Sequence, residues 1–184
     1  MRVITGSCRG KKLKTLESLD TRPTTDMVKE AVFSIIQFDV PASSVLDLFA
    51  GSGQMGIEAL SRGASHCVFV DSNPEAVAIV KDNVDSCGFN KESRVLCMDS
   101  LEYLKVAKAG IDIVFIDPPY RKGIVEKALE LVESKLNDGA IVVCEHEKEL
   151  GLGESYGRLE FHKRYKYGKT ALTVYKIPMK EVDY

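Results

Sequence analysis

Short apolar runs alternate with helical stretches from residue 45 onward. Five runs lack the polar alternation of a half-exposed strand, a pattern typical of strands that are covered on both faces. They lie at residues 45–50, 67–71, 94–98, 111–117 and 140–145. Helical stretches near residues 54–62, 74–87, 100–108 and 123–136 separate them. This alternation predicts an α/β fold with a doubly wound, mostly parallel sheet.

The two ends of the chain have a different pattern. Residues 2–6 and 11–16 flank a turn-like stretch and predict a small basic β-hairpin. Thr24 or Thr25 can cap a helix that Pro41 closes. Residues 159–167 and 170–177 predict a C-terminal antiparallel hairpin. We expect a single domain over residues 1–184, with a hairpin-and-helix extension over residues 1–40 and a catalytic core over residues 41–184.

Composition excludes several classes of protein. With 184 residues, 45% of them hydrophobic, the chain can bury a full core without disulfides or metals. The five cysteines are odd in number and lack C-x-x-C spacing, and the three histidines are far apart, so we expect reduced thiols and no metal site. The apolar runs have the length of strands, and no signal peptide is evident, which predicts a soluble, cytoplasmic protein.

The charge is unevenly distributed. The net charge is −2, but residues 1–22 sum to +4 and residues 158–176 sum to +5. If the two basic ends meet in space, they can form a surface that binds the phosphate backbone of a nucleic acid. Two solvated charge runs without a partner are the alternative.

One tetrapeptide points to specific chemistry. Asp117-Pro118-Pro119-Tyr120 directly follows the apolar residues 113–116. Because proline lacks an N–H group, the two prolines end the strand and hold the aspartate at the C-terminal edge of the sheet. Asp117 and the Pro118 carbonyl can accept both hydrogens of an exocyclic NH2 group, while Tyr120 stacks on the ring that bears it. A turn without function is the alternative for the motif taken alone.

A glycine-rich loop follows the first of the five strands. Gly51-x-Gly53-x-x-Gly56 matches the dinucleotide-binding pattern, and Asp71 lies twenty residues after Gly51, where an acid that binds ribose is expected. A nicotinamide enzyme is therefore one interpretation. Asp47 argues against it, because a buried carboxylate beside the loop would disfavour a pyrophosphate and would suit a ligand with an ammonium group.

The same loop resembles motif I of the Rossmann-like methyltransferases that use S-adenosylmethionine. The resemblance implies that the glycines let the backbone approach the cofactor, that Asp71 accepts ribose hydroxyls and that Asp99 reads the adenine amine. The cofactor-binding residues that it implies are Asp47, Phe49, Ala50, Gly51, Gly53, Asp71, Ser72, Asp99 and Ser100. Helix capping is the structural alternative for Asp71 and for Asp99.

Longer stretches resemble the RsmD family, whose members are bacterial methyltransferases of the guanine N2 amine in small-subunit (16S) ribosomal RNA. Residues 6–13, 21–26, 28–33, 45–53 and 56–64 carry this resemblance, and Met27 departs from it because a basic residue is expected there. It implies that S-adenosylmethionine is the cofactor and that residues 117–120 are catalytic. It also implies ribosomal RNA as the partner, within a small-subunit particle or an assembly intermediate. The substrate-binding residues that we expect are Arg9, Lys11, Lys12, Arg22, Thr24, Lys163 and Arg164.

Three alternatives remain beside this interpretation. Methyltransferases of protein glutamine share the motif but typically carry asparagine where this chain has Asp117. A nicotinamide oxidoreductase would need its Tyr-x-x-x-Lys pair on a helix, whereas Tyr165 and Lys169 fall at the predicted C-terminal hairpin. An RNA-binding module without catalysis would not need acidic residues at four successive strand ends.

Overall fold

The computed structural model describes residues 1–16, 26–119 and 123–179. Its helices are α1 (Asp26–Ile35), α2 (Gln54–Ser61), α3 (Pro74–Cys87), α4 (Ser100–Val106) and α5 (Ile124–Val132). Its strands are β1 (Ser44–Asp47), β2 (His66–Asp71), β3 (Ser93–Cys97), β4 (Ile111–Ile116), β5 (Leu136–Glu147), β6 (Ser155–Tyr156), β7 (Leu159–Tyr167) and β8 (Thr170–Lys176).

The strands form one eight-stranded sheet in the order β3-β2-β1-β4-β5-β8-β7-β6. β1 to β5 are mutually parallel, whereas β8, β7 and β6 join them as antiparallel neighbours. The predicted α/β fold with a mostly parallel sheet and a C-terminal hairpin is therefore confirmed. Because parallel strands end at one edge, the loops after β1, β2 and β4 lie side by side.

Both faces of the sheet are covered, as the unbroken apolar runs predict. One face packs against α1, α2 and α3 through a core that contains Phe33, Phe69 and Phe115. The opposite face packs against α4 and α5 through a core that contains Leu104 and Leu129. Val3 and Leu13, from the N-terminal segment, belong to the first core, so the segment shares a core with the sheet.

Several boundaries differ from the predicted ones. β1 ends at Asp47, because the chain turns into the glycine loop at Leu48. The predicted helix at residues 123–136 ends as α5 at Val132, and residues 133–135 form a 3-10 turn. β5 is longer than predicted and spans twelve residues, since it pairs with β4 on one side and β8 on the other. The predicted cap at Thr24 or Thr25 lies outside the described residues.

The N-terminal hairpin is smaller than predicted. A single antiparallel bridge joins Arg2 and Lys12, flanked by hydrogen bonds from Val3 N to Lys11 O and from Gly10 N to Val3 O. Over the described parts of the chain, no helix has both the length and the apolar character needed to cross a bilayer. The same parts contain no group of three or more acidic, histidine or cysteine side chains placed to hold a metal ion.

Candidate active site

Acidic residues lie at or just beyond the C-terminal ends of four parallel strands. Asp47 and Asp71 are the last residues of β1 and β2, Asp99 follows β3 by two positions, and Asp117 follows β4 directly. Since these ends share one edge of the sheet, the structure brings all four aspartates to the same side of the molecule.

The loop after β1 has a strained backbone. Phe49 has a φ of 120°, an unusual conformation for a residue with a side chain. Its N–H and that of Ala50 both donate to the Val70 carbonyl, at 3.1 and 3.0 Å, and hold the loop against β2. Backbone strain of this kind concentrates at binding and catalytic sites.

The three glycines of this loop have different physical roles. Gly51 has a φ of 54°, and a Cβ built there would meet nothing within 4 Å, so the loop is open at this point. Gly53 has a φ of 75° and caps α2. A Cβ on Gly56 would lie 2.3 Å from Phe69 Cε1, so the third glycine permits α2 to pack on β2. A close helix–strand contact thus accounts for Gly56 without a ligand.

Asp47 is buried beneath the loop, with a residue exposure of 5%. Its Oδ2 accepts the Gly56 N–H at 3.0 Å, near the start of α2. Burial raises the pKa of Asp47 to about 7, with a smaller contribution from Asp71, although the Gly56 hydrogen bond opposes the shift. The carboxyl is therefore close to its midpoint of ionisation at neutral pH, and a neighbouring cation would favour its charged form.

Asp71 organises the two adjoining loops. Its Oδ2 accepts the Gly51 N–H and its Oδ1 accepts the Asn73 N–H, both at 2.8 Å. Each carboxylate oxygen can accept a second hydrogen bond, so these contacts leave capacity for hydroxyl donors. Ser72, the next residue, is exposed at the same edge.

Asp99 caps α4, which is the structural role that the sequence analysis gave as the alternative to cofactor binding. Its Oδ1 accepts the N–H groups of Leu101 and Glu102, both at 2.9 Å, and Ser100 beside it is buried. Asp99 also lines a groove between α4 and α5. The capping bonds use one of its two carboxylate oxygens, so a role in reading an adenine amine stays a prediction.

The Asp117-Pro118-Pro119 turn lies at the end of β4, as predicted, and Tyr120 lies outside the described residues. Asp117 is exposed, Pro118 is buried and Pro119 is exposed. Asp117 lines a small pocket together with Glu145, which lies on β5 two residues before the strand ends. Sequence analysis missed Glu145, although it ends an apolar run on β5 in the same way as Asp117 does on β4.

The N-terminal segment, residues 1–16, is fixed by α2 on the face of the sheet that α1 to α3 cover. The buried Glu58 carboxylate accepts the N–H groups of Ile4 and Thr5 at 2.8 and 3.0 Å. Lys29 Nζ lies 3.6 Å from the same carboxylate and is also fully buried. The Ser61 carbonyl accepts the Ser7 N–H, so the segment also satisfies the end of α2. Arg9, Lys11 and Lys12 remain exposed on this fixed segment.

Asn83 on α3 joins this segment to the glycine loop. Its side chain accepts the Lys14 N–H at 2.8 Å and donates to the carbonyls of Lys14 and Ser52, at 3.0 and 2.9 Å. The residue is 1% exposed. Sequence analysis missed it, because a polar residue on a helix carries no signal of the two loops it connects.

A profile of known families identifies the chain. The family model described as "Conserved hypothetical protein 95", which is the model of the RsmD family, matches residues 1–176. The chain belongs to the RsmD family. It is 40% identical over 181 residues to "Putative rRNA methyltransferase YlbH" of Bacillus subtilis (strain 168), covering 96% of this chain and 98% of that protein.

Two further comparisons agree with membership of the RsmD family. "Ribosomal RNA small subunit methyltransferase D" of Escherichia coli (strain K12) is 32% identical over 178 residues, covering 96% of this chain and 89% of that protein. The solved structure of yhhF from Escherichia coli matches with a TM-score of 0.88 and 31% identity, covering 98% of this chain and 99% of that one. The fold is therefore that of the S-adenosylmethionine-dependent methyltransferases.

In this RsmD-family chain, two of the predicted RNA-binding residues, Lys163 and Arg164, lie on opposite faces of β7. Lys163 pairs with Val174, and its Nζ lies 5.1 Å from the Tyr165 ring, on the face covered by α1 to α3. Arg164, one position along β7, donates to Thr173 Oγ1 on the opposite face. Successive strand residues point to opposite faces, so these two cannot both meet one RNA backbone through the same face. Arg22 and Thr24 lie outside the described residues.

Proposed function

We propose that this protein transfers a methyl group from S-adenosylmethionine to the exocyclic N2 amine of a guanine in 16S ribosomal RNA. The carrying observation is the turn after β4, which places the exposed Asp117 and the buried Pro118 at the same sheet edge as the glycine loop and Asp71. The names of the relatives in Bacillus subtilis and Escherichia coli support ribosomal RNA as the substrate.

The residues at this edge fit the proposed cofactor. The open space beside Gly51 gives a ligand access to the loop backbone. Asp71 keeps lone pairs for ribose hydroxyls beyond its two backbone contacts. The ammonium group of the methionine moiety of S-adenosylmethionine would lower the raised pKa of Asp47 and so favour its charged carboxylate. Bound there, S-adenosylmethionine supplies an electrophilic methyl group on a positively charged sulfur.

The target amine is a weak nucleophile because its lone pair is delocalised into the guanine ring. Asp117 and the Pro118 carbonyl would accept its two hydrogens and so favour a more tetrahedral nitrogen that points its lone pair at the methyl carbon. Held in this way by Asp117 and Pro118, the nitrogen would bond to the methyl carbon that the cofactor supplies, and the bond from that carbon to sulfur would break with its electron pair left on sulfur. The nitrogen loses one proton, which Asp117 or water accepts.

Transfer of labelled methyl to undermethylated small-subunit RNA tests this proposal. The RNA would be offered free and as assembled particles, followed by nucleoside analysis of the product. We expect N2-methylguanosine. Tight cofactor binding without transfer to either form would refute RNA methylation of this subunit and would direct attention to protein glutamine.

Asp117→Ala tests the role of the turn. Loss of orientation and proton acceptance should lower kcat by about 10²- to 10⁴-fold, while the affinity for S-adenosylhomocysteine stays within about threefold. Asp117→Asn is the matched control, because its amide keeps one acceptor; we expect intermediate activity. Full turnover by the alanine variant would contradict the proposed mechanism.

A further inference from the structure

Asp117 and Glu145 are neighbours across the ends of two parallel strands. The β4–β5 register pairs Phe115 with Val143 and Ile116 with Cys144, so the next positions are Asp117 and Glu145. Residues at matched positions of neighbouring parallel strands point to the same face, with backbones about 4.8 Å apart. The two carboxylates therefore lie side by side, on the face that carries Phe115 and Val143.

Both side chains open into one pocket whose other walls are almost entirely apolar. The apolar residues that line it come from α1, the start of α2, β4, β5 and β8: Val32, Met55, Phe115, Ile116, Val143 and Leu172. Asp117 is exposed and Glu145 is half-buried. Each already has an interaction partner within the chain, so an incoming ligand would share or exchange these contacts. The apolar walls shield the half-buried Glu145 carboxylate from water and so strengthen a hydrogen bond to it.

This pair of acceptors is complementary to one base edge in particular. Guanine presents its N2 amine and, beside it, the N1–H donor. Adenine and cytosine present an amine beside a bare ring nitrogen, which accepts hydrogen bonds and would face the Glu145 carboxylate with no proton between them. An acceptor beside the amine-binding aspartate thus favours guanine and disfavours the other two bases.

We infer that Glu145 is the residue that selects guanine, by accepting the N1–H while Asp117 and the Pro118 carbonyl hold the N2 amine. This inference rests on the proposed function and adds to it the basis of base choice. Glu145 would touch the base but not the transferred methyl group, so its removal should alter substrate preference more than the transfer step.

The test compares guanine with 2-aminopurine at the methylated position of a defined RNA, once nucleoside mapping has located that position. 2-Aminopurine keeps the exocyclic amine but has a bare N1 and lacks the 6-oxo group, a second difference that is common to every variant compared. The wild-type protein should prefer guanine in kcat/KM by at least about tenfold, the discrimination expected from a matched base-edge contact. In Glu145→Gln this preference should fall to within about threefold, since the amide can accept from N1–H or donate to a bare N1.

Glu147→Gln is the matched control. It removes a carboxylate from the same strand two positions further on, where the side chain is exposed and outside the pocket. It should keep the wild-type preference, and all variants should keep the wild-type melting temperature and affinity for S-adenosylhomocysteine.

The outcomes separate the two claims. If the wild-type protein methylates the guanine RNA but Glu145→Gln slows both RNAs equally and keeps the preference, Glu145 does not select the base, and the proposed function stands. If the wild-type protein methylates adenine or no base at all, the proposed function fails and the inference fails with it.

Discussion

Replacement of Asp47 by asparagine should make the protein more stable at alkaline pH and lower its affinity for the proposed cofactor, S-adenosylmethionine. Burial raises the pKa of Asp47 from 3.8 to about 7. This difference corresponds to a free energy of about 4 kcal/mol. The folded-state pKa is the higher one, so the protein keeps the full stability of the protonated Asp47 below pH 3.8. The free energy of unfolding then falls as the pH rises towards and through 7, because the unfolded chain loses the proton first.

Asparagine removes this dependence because it cannot ionise. Its side-chain oxygen can still accept the Gly56 N–H that Asp47 accepts at 3.0 Å. Its NH2 group, buried without a partner, would cost about 1–3 kcal/mol. The expected net gain in the free energy of unfolding at pH 8 is therefore about 1–3 kcal/mol.

Urea unfolding of both proteins at pH 5 and pH 8 measures the effect. The difference between variant and wild type should be about 2–3 kcal/mol larger at pH 8, because the other titrating groups contribute equally to both proteins. Asp112→Asn is the control, since Asp112 also accepts a backbone N–H, from Ser44, but is only half-buried. A difference that is the same at both pH values would refute the assignment of a raised pKa to Asp47.

The same pair of proteins tests the proposed contact with the methionine ammonium. At pH 8 the wild-type carboxyl is charged, and removal of the charge should weaken S-adenosylhomocysteine binding by roughly tenfold, or about 1.4 kcal/mol. Isothermal titration calorimetry at pH 8 gives this value. Equal affinities would place the ammonium away from Asp47 and leave that residue a purely structural role.

Two further substitutions test the packing around α2. Gly56→Ala should lower the free energy of unfolding, measured by urea titration, by about 1–3 kcal/mol, because the new Cβ would lie 2.3 Å from Phe69 Cε1. Gly151→Ala is its control: this glycine has open space around it, so the substitution should leave the free energy of unfolding nearly unchanged. Glu58→Gln should lower the free energy of unfolding by about 3–5 kcal/mol, since it removes the carboxylate that faces both the fully buried Lys29 and Arg62; a loss below about 1 kcal/mol would contradict a charged, buried Lys29–Glu58 pair.

Much of this architecture follows from local sequence patterns. Asparagine followed by proline is typical of a helix start, and the structure shows Asn73 accepting the Glu75 N–H at the start of α3. The strands covered on both faces follow from their unbroken apolar runs. Contacts between distant residues do not follow: nothing local indicates that Glu58 holds the N-terminal segment or that Asn83 reaches both Lys14 and Ser52. Register between β4 and β5 is likewise non-local, which is why Glu145 was missed.

The aspartates at the strand ends show why structural and functional interpretations of one residue need not exclude each other. Asp71 supports two loops through backbone N–H groups, and Asp99 caps α4, so the structural alternatives for both are realised. A carboxylate nevertheless offers about four acceptor positions. The backbone contacts fix the direction of the remaining lone pairs before any ligand arrives, and a ligand then loses less entropy in meeting them. The backbone contacts of Asp71 and the capping bonds of Asp99 are therefore a precondition for the proposed binding role of each aspartate.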